Sequence, residues 1–435
     1  MAYCYMRKIV ISNVGPITGR VKIVFRRFCV LIGPQSSGKS TIAKLLSTCM
    51  WLEKEACTTL STDVLPSGVD FKKFVEDFHR MHGYIHTESS EMKYESEFVI
   101  IQYIRGDFSI RIKPNNKYRR IKVSYIPSDR NVITMKDLEL REMESTNFRS
   151  FLFDWLYCRK YFNADNKTDI LELGVKYYFE KVGGENRDTI IHQNGQTYSL
   201  SLYDASSGMQ SAVPLVITTQ FFTGKYFEVY DKEVSFEGEQ RKRDLVERLV
   251  SQYFPAKEDK SSSQQFIDAT KTGPLSENAA AYEAALAVRN DFDRLTSPNS
   301  TAFIIEEPEQ NLFPQTQLDL MKDIISCCNN EQHPSIAVVT THSPYVLSAI
   351  NILMFAGKLV AMGVDPEEFR DVVPSNCIIA LDEVDIYTVK DGICHSIKEP
   401  NTGLINQNDL DSASEYNASV FDRLYRLYVS RIQGV

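Results

Sequence analysis

Apolar residues along this chain fall into three patterns. Short unbroken runs at 28–32, 302–305 and 336–340 predict strands buried on both faces. Strict alternation predicts half-buried strands: Ile9 and Ile11, then Val21, Ile23 and Phe25, form a hairpin around Asn13, Val14, Gly15 and Pro16. Runs at 98–103 and 108–112 flank the turn Gly106-Asp107, and 121–126 ends at Pro127-Ser128-Asp129-Arg130. The run 378–381 reads as a short strand, 384–389 as one arm of a hairpin turning at Asp391-Gly392, and 190–202 as a hairpin around Asn194-Gly195. Helical spacing recurs in Ile42, Leu45, Leu46, Cys49 and Met50, across 315–328, and in Ala413, Tyr416, Val420, Leu424 and Leu427 of a helix expected over 410–432. Residues 66–93 read as mixed and helical. Residues 135–181 read as a helical, aromatic subdomain whose Phe148, Phe151, Leu152, Trp155 and Leu156 are core residues, closed by Gly183-Gly184. Residues 206–219 read as a loop entering an apolar helix, 257–265 as a flexible loop, and 279–288 as an alanine-rich helix.

This order of elements predicts an α/β fold with a mixed or parallel core sheet, an N-terminal β-subdomain and inserted helical pieces. It is read as one head over residues 1–435: a β-rich lobe at 1–130, a helical insertion at 131–190, a segment at 191–225, a helical and flexible insertion at 226–298, and a closing part at 299–435.

Chemistry enters at the end of the first buried run. Gly33, Pro34, Gln35, Ser36, Ser37, Gly38, Lys39, Ser40 and Thr41 fit the pattern G-x-x-x-x-G-K-[ST] between a strand and a helix. Glycines let backbone N–H groups approach phosphates, the helix N-terminus adds its positive end, Lys39 reaches the outer phosphates, and the Ser40 hydroxyl is placed for Mg²⁺. The run 302–305 ends in Glu306-Glu307-Pro308-Glu309, a hydrophobic strand closed by adjacent acids. Glu306 suits a Mg²⁺ shell and Glu307 the polarising of a water. Two adjacent carboxylates repel unless a cation lies between them; the alternative is a solvated acidic turn. His342 follows the third run, where a side chain projects toward a ligand crevice and contacts a γ-phosphate or positions the water; a structural histidine is the other reading. Ser206, Ser207, Gly208 and Gln210 open a helix with small hydroxyls and a glycine, which also suits phosphate. One phosphate loop and a second phosphate-gripping helix start suggest two chains sharing each nucleotide.

Composition changes this picture little. A length of 435 residues allows a sizeable core, and a formal net charge of -8 gives no global push toward nucleic acid. No apolar run approaches the roughly 20 residues a membrane span needs, so no membrane is expected. The nine cysteines show no Cys-x-x-Cys pair and suit a reducing cytoplasm. His79, His82 and His86 lie near one another, but Gly83 interrupts their helix and no further ligand completes a zinc set. The basic groups Arg26-Arg27 and 117–122 are short, and suit a solvated face or contact with nucleic acid or an acidic protein.

Taken in order, the motifs at 33–41, 206–210 and 306–309, with His342, resemble the ABC-type ATPases, in particular the branch with the OLD and RecF/SMC-type heads. The resemblance makes Ser207-Gly208 the signature motif acting on ATP held by the opposite subunit, Glu306 and Glu307 the Walker B acid and catalytic base, Lys39 the catalytic lysine, and His342 the switch histidine. ATP and Mg²⁺ are the implied cofactors. Residues 9–17 echo the family's opening strand, and Tyr125 to Arg130 look like an Ile-Pro-x-x-Arg element of OLD-type ATPases. Met209 stands where many signatures carry a second glycine. Glu306 stands where most Walker B motifs have aspartate, a form shared with OLD-type members. Only about ninety residues follow His342, too few for the TOPRIM nuclease domain of OLD proteins. The layout is most similar to the stand-alone ATPase subunits of PARIS-type anti-phage systems. That resemblance implies a homo-oligomer, a dimer or ring of dimers. It would hold a TOPRIM nuclease effector inactive and release it on detecting a phage-encoded trigger protein, such as a DNA mimic. A RecF-type DNA-repair or chromosome-maintenance ATPase stimulated by DNA is the alternative.

Overall fold

A computed structural model describes residues 6–115, 117–135, 144–193, 195, 197–230, 236–256, 260–271 and 279–405. The centre is a six-stranded mixed sheet in the order β15-β14-β3-β13-β12-β7. Its parallel strands are β3 (Phe28–Ile32), β7 (Ile121–Ile126), β12 (Ser300–Glu306), β13 (Ile336–Thr341) and β14 (Val384–Lys390). Only β15 (Ile393–Ser396) runs antiparallel, through the expected hairpin at Asp391-Gly392. Side chains of a strand alternate between faces. Phe28 and Val30, Phe303 and Ile305, and Val339 enter one core, while Cys29 and Leu31, Ala302 and Ile304, and Val338 enter the other. Burial on both faces is why these strands read as unbroken apolar runs.

Helix α1 (Lys39–Thr59) covers one face with Ile42, Leu45, Leu46, Cys49 and Met50. Beside it lies a five-stranded antiparallel sheet, β2-β1-β4-β5-β6, made of β1 (Arg7–Val14), β2 (Ile17–Phe25), β4 (Glu91–Glu95), β5 (Val99–Ile104) and β6 (Asp107–Ile112). The same side carries α2 (Phe71–His79) and three helices of the insertion: α6 (Phe236–Tyr253), α7 (Ser262–Thr270) and α8 (Ala279–Thr296). The opposite face is covered by α3 (Asn147–Cys158), α4 (Ser207–Thr223), α5 (Lys225–Val229), α9 (Pro314–Cys328) and α10 (Pro344–Ala361). Beside them sits a small antiparallel sheet of β8 (Thr168–Asp169), β9 (Val175–Val182), β10 (Glu185–His192) and β11 (Tyr198–Ser201).

Several expectations are corrected. The helical reading of 131–190 holds for α3, whose Phe148, Phe151, Leu152 and Trp155 are buried as expected, but not for 168–192, which form strands. Val175, Tyr177 and Phe179 alternate inward with period two, and Gly183-Gly184 turns the β9–β10 hairpin. In 66–93 only α2 is helical, because Met92 and Tyr94 face inward from a strand. Residues 378–381 pair with no strand; Ile379 is buried beside Gly357 of α10, at a spot too tight for a Cβ. The supposed loop at 257–265 begins α7 at Ser262, capped by the Ser261 hydroxyl, which accepts from the Gln264 amide. Helix α10 carries a single charged residue, Lys358, over 18 residues. It is long and apolar enough to cross a membrane, yet Val346, Leu347, Ile350, Leu353 and Met354 pack it into the core. The helix expected over 410–432 lies outside the described residues.

Candidate functional site

Parallel register brings the motifs to one edge of the sheet. Ile32, which leads into the phosphate loop, pairs with Thr341, and Thr340 pairs with Glu306. The loop, the acidic turn and His342 therefore leave neighbouring strands at their C-terminal ends, where ligands of open α/β sheets bind.

Within the loop, Pro34, Gln35 and Ser36 are exposed, Gly33 and Ser40 are half-buried, and Ser37, Gly38, Lys39 and Thr41 are buried. Gly38 holds φ +104° immediately before α1, and a Cβ there would lie 2.4 Å from Ile17 Cδ1, so a larger residue is excluded twice over. The Lys39 ammonium folds over the loop and donates to the carbonyls of Gly33 (2.8 Å) and Pro34 (2.7 Å). Burial lowers its pKa to about 8, against the raising influence of Glu307 and Glu309.

Lys39 Nζ also lies 3.3 Å from His342 Nδ1, and His342 Nε2 lies 2.9 Å from Glu307 Oε1. An ammonium can only donate and a carboxylate can only accept. Nδ1 must then be the acceptor and Nε2 must carry the proton, so the two partners select one neutral tautomer. Lysine, histidine and glutamate form a continuous chain from the phosphate loop to the acidic turn. Glu307 itself adopts φ +45°, and its N–H donates to the Thr340 carbonyl at 2.8 Å. A non-glycine residue in that region costs on the order of 1–3 kcal/mol and is held only by its surroundings.

Glu306 has a different environment. Its side chain lies on the same side of the sheet as Ile304, and that of Thr340 on the same side as Val338, the side that α1 covers. Glu306 Oε1 and Thr340 Oγ1 are both buried without a hydrogen-bond partner. Two unsatisfied oxygens side by side, facing the helix that begins at Lys39 and Ser40, fit a hard cation with its water shell. Among the described residues no group of three or more His, Cys, Asp or Glu could cage a metal. Mg²⁺ characteristically takes one or two carboxylates plus phosphate oxygens. His79 is buried, with Nε2 2.9 Å from Thr48 Oγ1, and burial lowers its pKa to about 3; it is a core histidine.

The second phosphate-binding candidate opens α4. Ser206 caps the helix, accepting from the Met209 amide at 3.5 Å, and Ser206 and Ser207 are exposed. Gly208 packs so close to the turn after the acids that a Cβ would lie 2.9 Å from the Asn311 carbonyl. Gln210 turns inward: its amide donates to the carbonyls of Tyr203 (2.7 Å) and Leu202 (3.4 Å).

Two residues have roles the motifs did not assign. Glu309 Oε1 accepts from the His342 amide (2.8 Å) and the Thr341 hydroxyl (2.7 Å), and so anchors the histidine's backbone. Arg130 is fully buried and bonded to the carbonyls of the acidic turn. The basic groups are largely engaged at home: Arg26 pairs with Asp385 (2.7 Å), Arg27 with Glu383 (3.2 Å) and Lys122 with Asp154 (2.6 Å).

Fold and site together define an α/β architecture in which a mostly parallel central sheet gathers a G-x-x-x-x-G-K-S loop, an acidic turn and a histidine at adjacent strand ends. No protein-family model and no curated protein sequence matches the chain. Among solved structures it is similar to the SMC head domain from Thermotoga maritima (12% identity, TM-score 0.22, covering 90% of this chain and 98% of that one). It is also similar to the ATP-bound recombination mediator RecF of the RecFOR pathway (12%, 0.30, 91% and 98%). A third is the Pyrococcus furiosus SMC head with an extended coiled coil, bound to the C-terminal domain of ScpA (12%, 0.29, 95% and 99%). Superpositions this loose carry no functional weight; the geometry above does.

Proposed function

We propose that this chain is an ATP-binding and ATP-hydrolysing subunit. The observation that carries the reading is the chain Lys39–His342–Glu307, with bonds of 3.3 and 2.9 Å, spanning the gap between a phosphate loop and an acidic strand end. ATP lies along the amides of residues 33–41, with Lys39 on its outer phosphates. Ser40 and Glu306 hold Mg²⁺, which neutralises phosphate charge when bound. Glu307 takes the proton of the attacking water, and His342, whose Nε2–H donates to Glu307 while Nδ1 accepts from Lys39, holds that base in place beside the lysine. Ser206, Ser207 and Gly208 of a second copy close over the γ-phosphate. The exposure of Ser206 and Ser207 supports this, as do the exposed aromatics Tyr203, Phe313 and Tyr345 in segments flanking the site motifs. The working form is then a homo-oligomer, a dimer or ring of dimers.

Turnover of purified protein tests this directly. Lys39→Ala abolishes nucleotide binding. Glu307→Gln binds ATP but loses about 10²–10⁴-fold in kcat, the range of a general base. Parent-like turnover in both variants would contradict the assignment.

The finer reading is that of a cytoplasmic sensor similar to AriA of the PARIS anti-phage system. ATP-driven association would shape a surface holding a TOPRIM nuclease effector, AriB-like, until a phage-encoded anti-restriction protein arrives, possible triggers including a DNA mimic. The Glu306-Glu307-Pro308-Glu309 form and the Pro127 to Arg130 element support it, on sequence resemblance. Tagged protein expressed with its genomic neighbours should co-purify with a TOPRIM-containing partner. Isolation without one, with hydrolysis that rises on adding DNA, would instead favour a repair ATPase.

A further inference from the structure

We infer that Arg130 couples the two nucleotide sites of an assembled pair, by tying the helix that faces the neighbour's nucleotide to the strand end that serves the subunit's own. This rests on the composite-site reading above. Arg130 is fully buried, and all five of its N–H donors meet backbone carbonyls. Nε donates to Ser211 of α4 at 3.0 Å. Nη1 donates to Glu306 at 2.9 Å and Pro127 at 3.3 Å. Nη2 donates to Glu307 at 2.9 Å and Pro308 at 3.2 Å.

Because every acceptor is main chain, the guanidinium fixes backbone paths rather than side chains. It grips three consecutive carbonyls of the turn that holds Glu307 at positive φ, the conformation that presents Glu307 to His342. Its remaining face reaches the second turn of α4, whose first residues are Ser207 and Gly208. Two further contacts make the same bridge. Asn311 Nδ2 donates to Ser211 Oγ at 3.1 Å, and Gly208 is pressed against the Asn311 carbonyl. A displacement of the α4 N-terminus is therefore carried rigidly to the carbonyls beside Glu307. Arginine alone offers five donors in one plane; a lysine ammonium offers three from a point and cannot span both segments. Arg130 is a positioning residue: it acts through Glu307 and touches no nucleotide.

The test compares parent, Arg130→Lys and Asn311→Ala, each checked by thermal melt. Fluorescent ATP binding to unassembled protein is read alongside hydrolysis as a function of ATP concentration. The parent is expected to show a Hill coefficient above 1. Arg130→Lys should bind ATP within about threefold of the parent while kcat falls at least tenfold and the Hill coefficient drops to 1. Asn311 is exposed and its side chain can be removed without emptying the core. Asn311→Ala should lower the Hill coefficient with binding unchanged, and it decides the matter if Arg130→Lys does not fold. A parent without cooperativity, a folded Arg130→Lys that keeps it, or an Asn311→Ala that matches the parent overturns the inference. A parent that binds no ATP contradicts the composite-site reading itself.

Discussion

At the scale of single residues, the site is governed by what each buried polar atom can donate or accept. Lys39 is the clearest case, since burial holds its ammonium near a pKa of about 8 rather than the ordinary 10.5. On the proposed reading the charged form grips phosphate, and without nucleotide Lys39 loses that charge as pH rises through 8. Binding at higher pH must take up a proton, so ATP affinity should weaken from pH 7 to 9, approaching about tenfold per pH unit above 8. Calorimetric titrations across that range check it; a flat profile would show that the ammonium is not what holds the phosphates. Fold stability moves the other way. Above pH 8 the unfolded chain keeps this proton longer than the native one, so the native state gains as pH rises toward the ordinary lysine value.

At the scale of elements, α9 carries a half-buried carboxylate whose inward oxygen has no partner. Asp323 is pushed up to about 6 by burial, and only one of its oxygens has a partner, the Gln220 amide at 3.1 Å. Between the ordinary aspartate value of 3.8 and about 6, the native state binds more protons than the unfolded one. Stability is then lost as pH rises through that window. Asp323→Asn should flatten this slope and raise Tm at pH 7. The gain is at most about 3 kcal/mol, since a tenfold change in proton affinity is worth ~1.4 kcal/mol. Melts at pH 4 and 7 test it, and an unchanged slope would contradict it. The elements also show what the chain makes legible. The strand–loop–helix at 28–59 and the strand ending at Glu306 are local, with function and secondary structure written in one short stretch. The strands at 168–192 are hidden in the sequence because their aromatics suit a helix face as well as a strand, and only tertiary packing decides. Arg130 is visible as part of a motif, but its partners lie 81 to 178 residues away for all but one of its bonds, and no local pattern reports them.

At the scale of the molecule, the central sheet works as an alignment device. Its register places the phosphate loop, the acidic turn and the histidine on adjacent strand ends, while α4 presents exposed serines outward beside the same turn. On the proposed reading, half of the chemistry serves the subunit's own nucleotide and the other half a neighbour's, so a complete site needs both halves. Light scattering of Glu307→Gln with and without Mg²⁺ and ATP tests that claim most directly. Blocking hydrolysis should trap the closed assembly, so the mass should at least double on adding nucleotide, and Lys39→Ala in the same background should abolish the change. A Glu307→Gln protein that binds ATP yet keeps the same mass with and without it would contradict the two-half site.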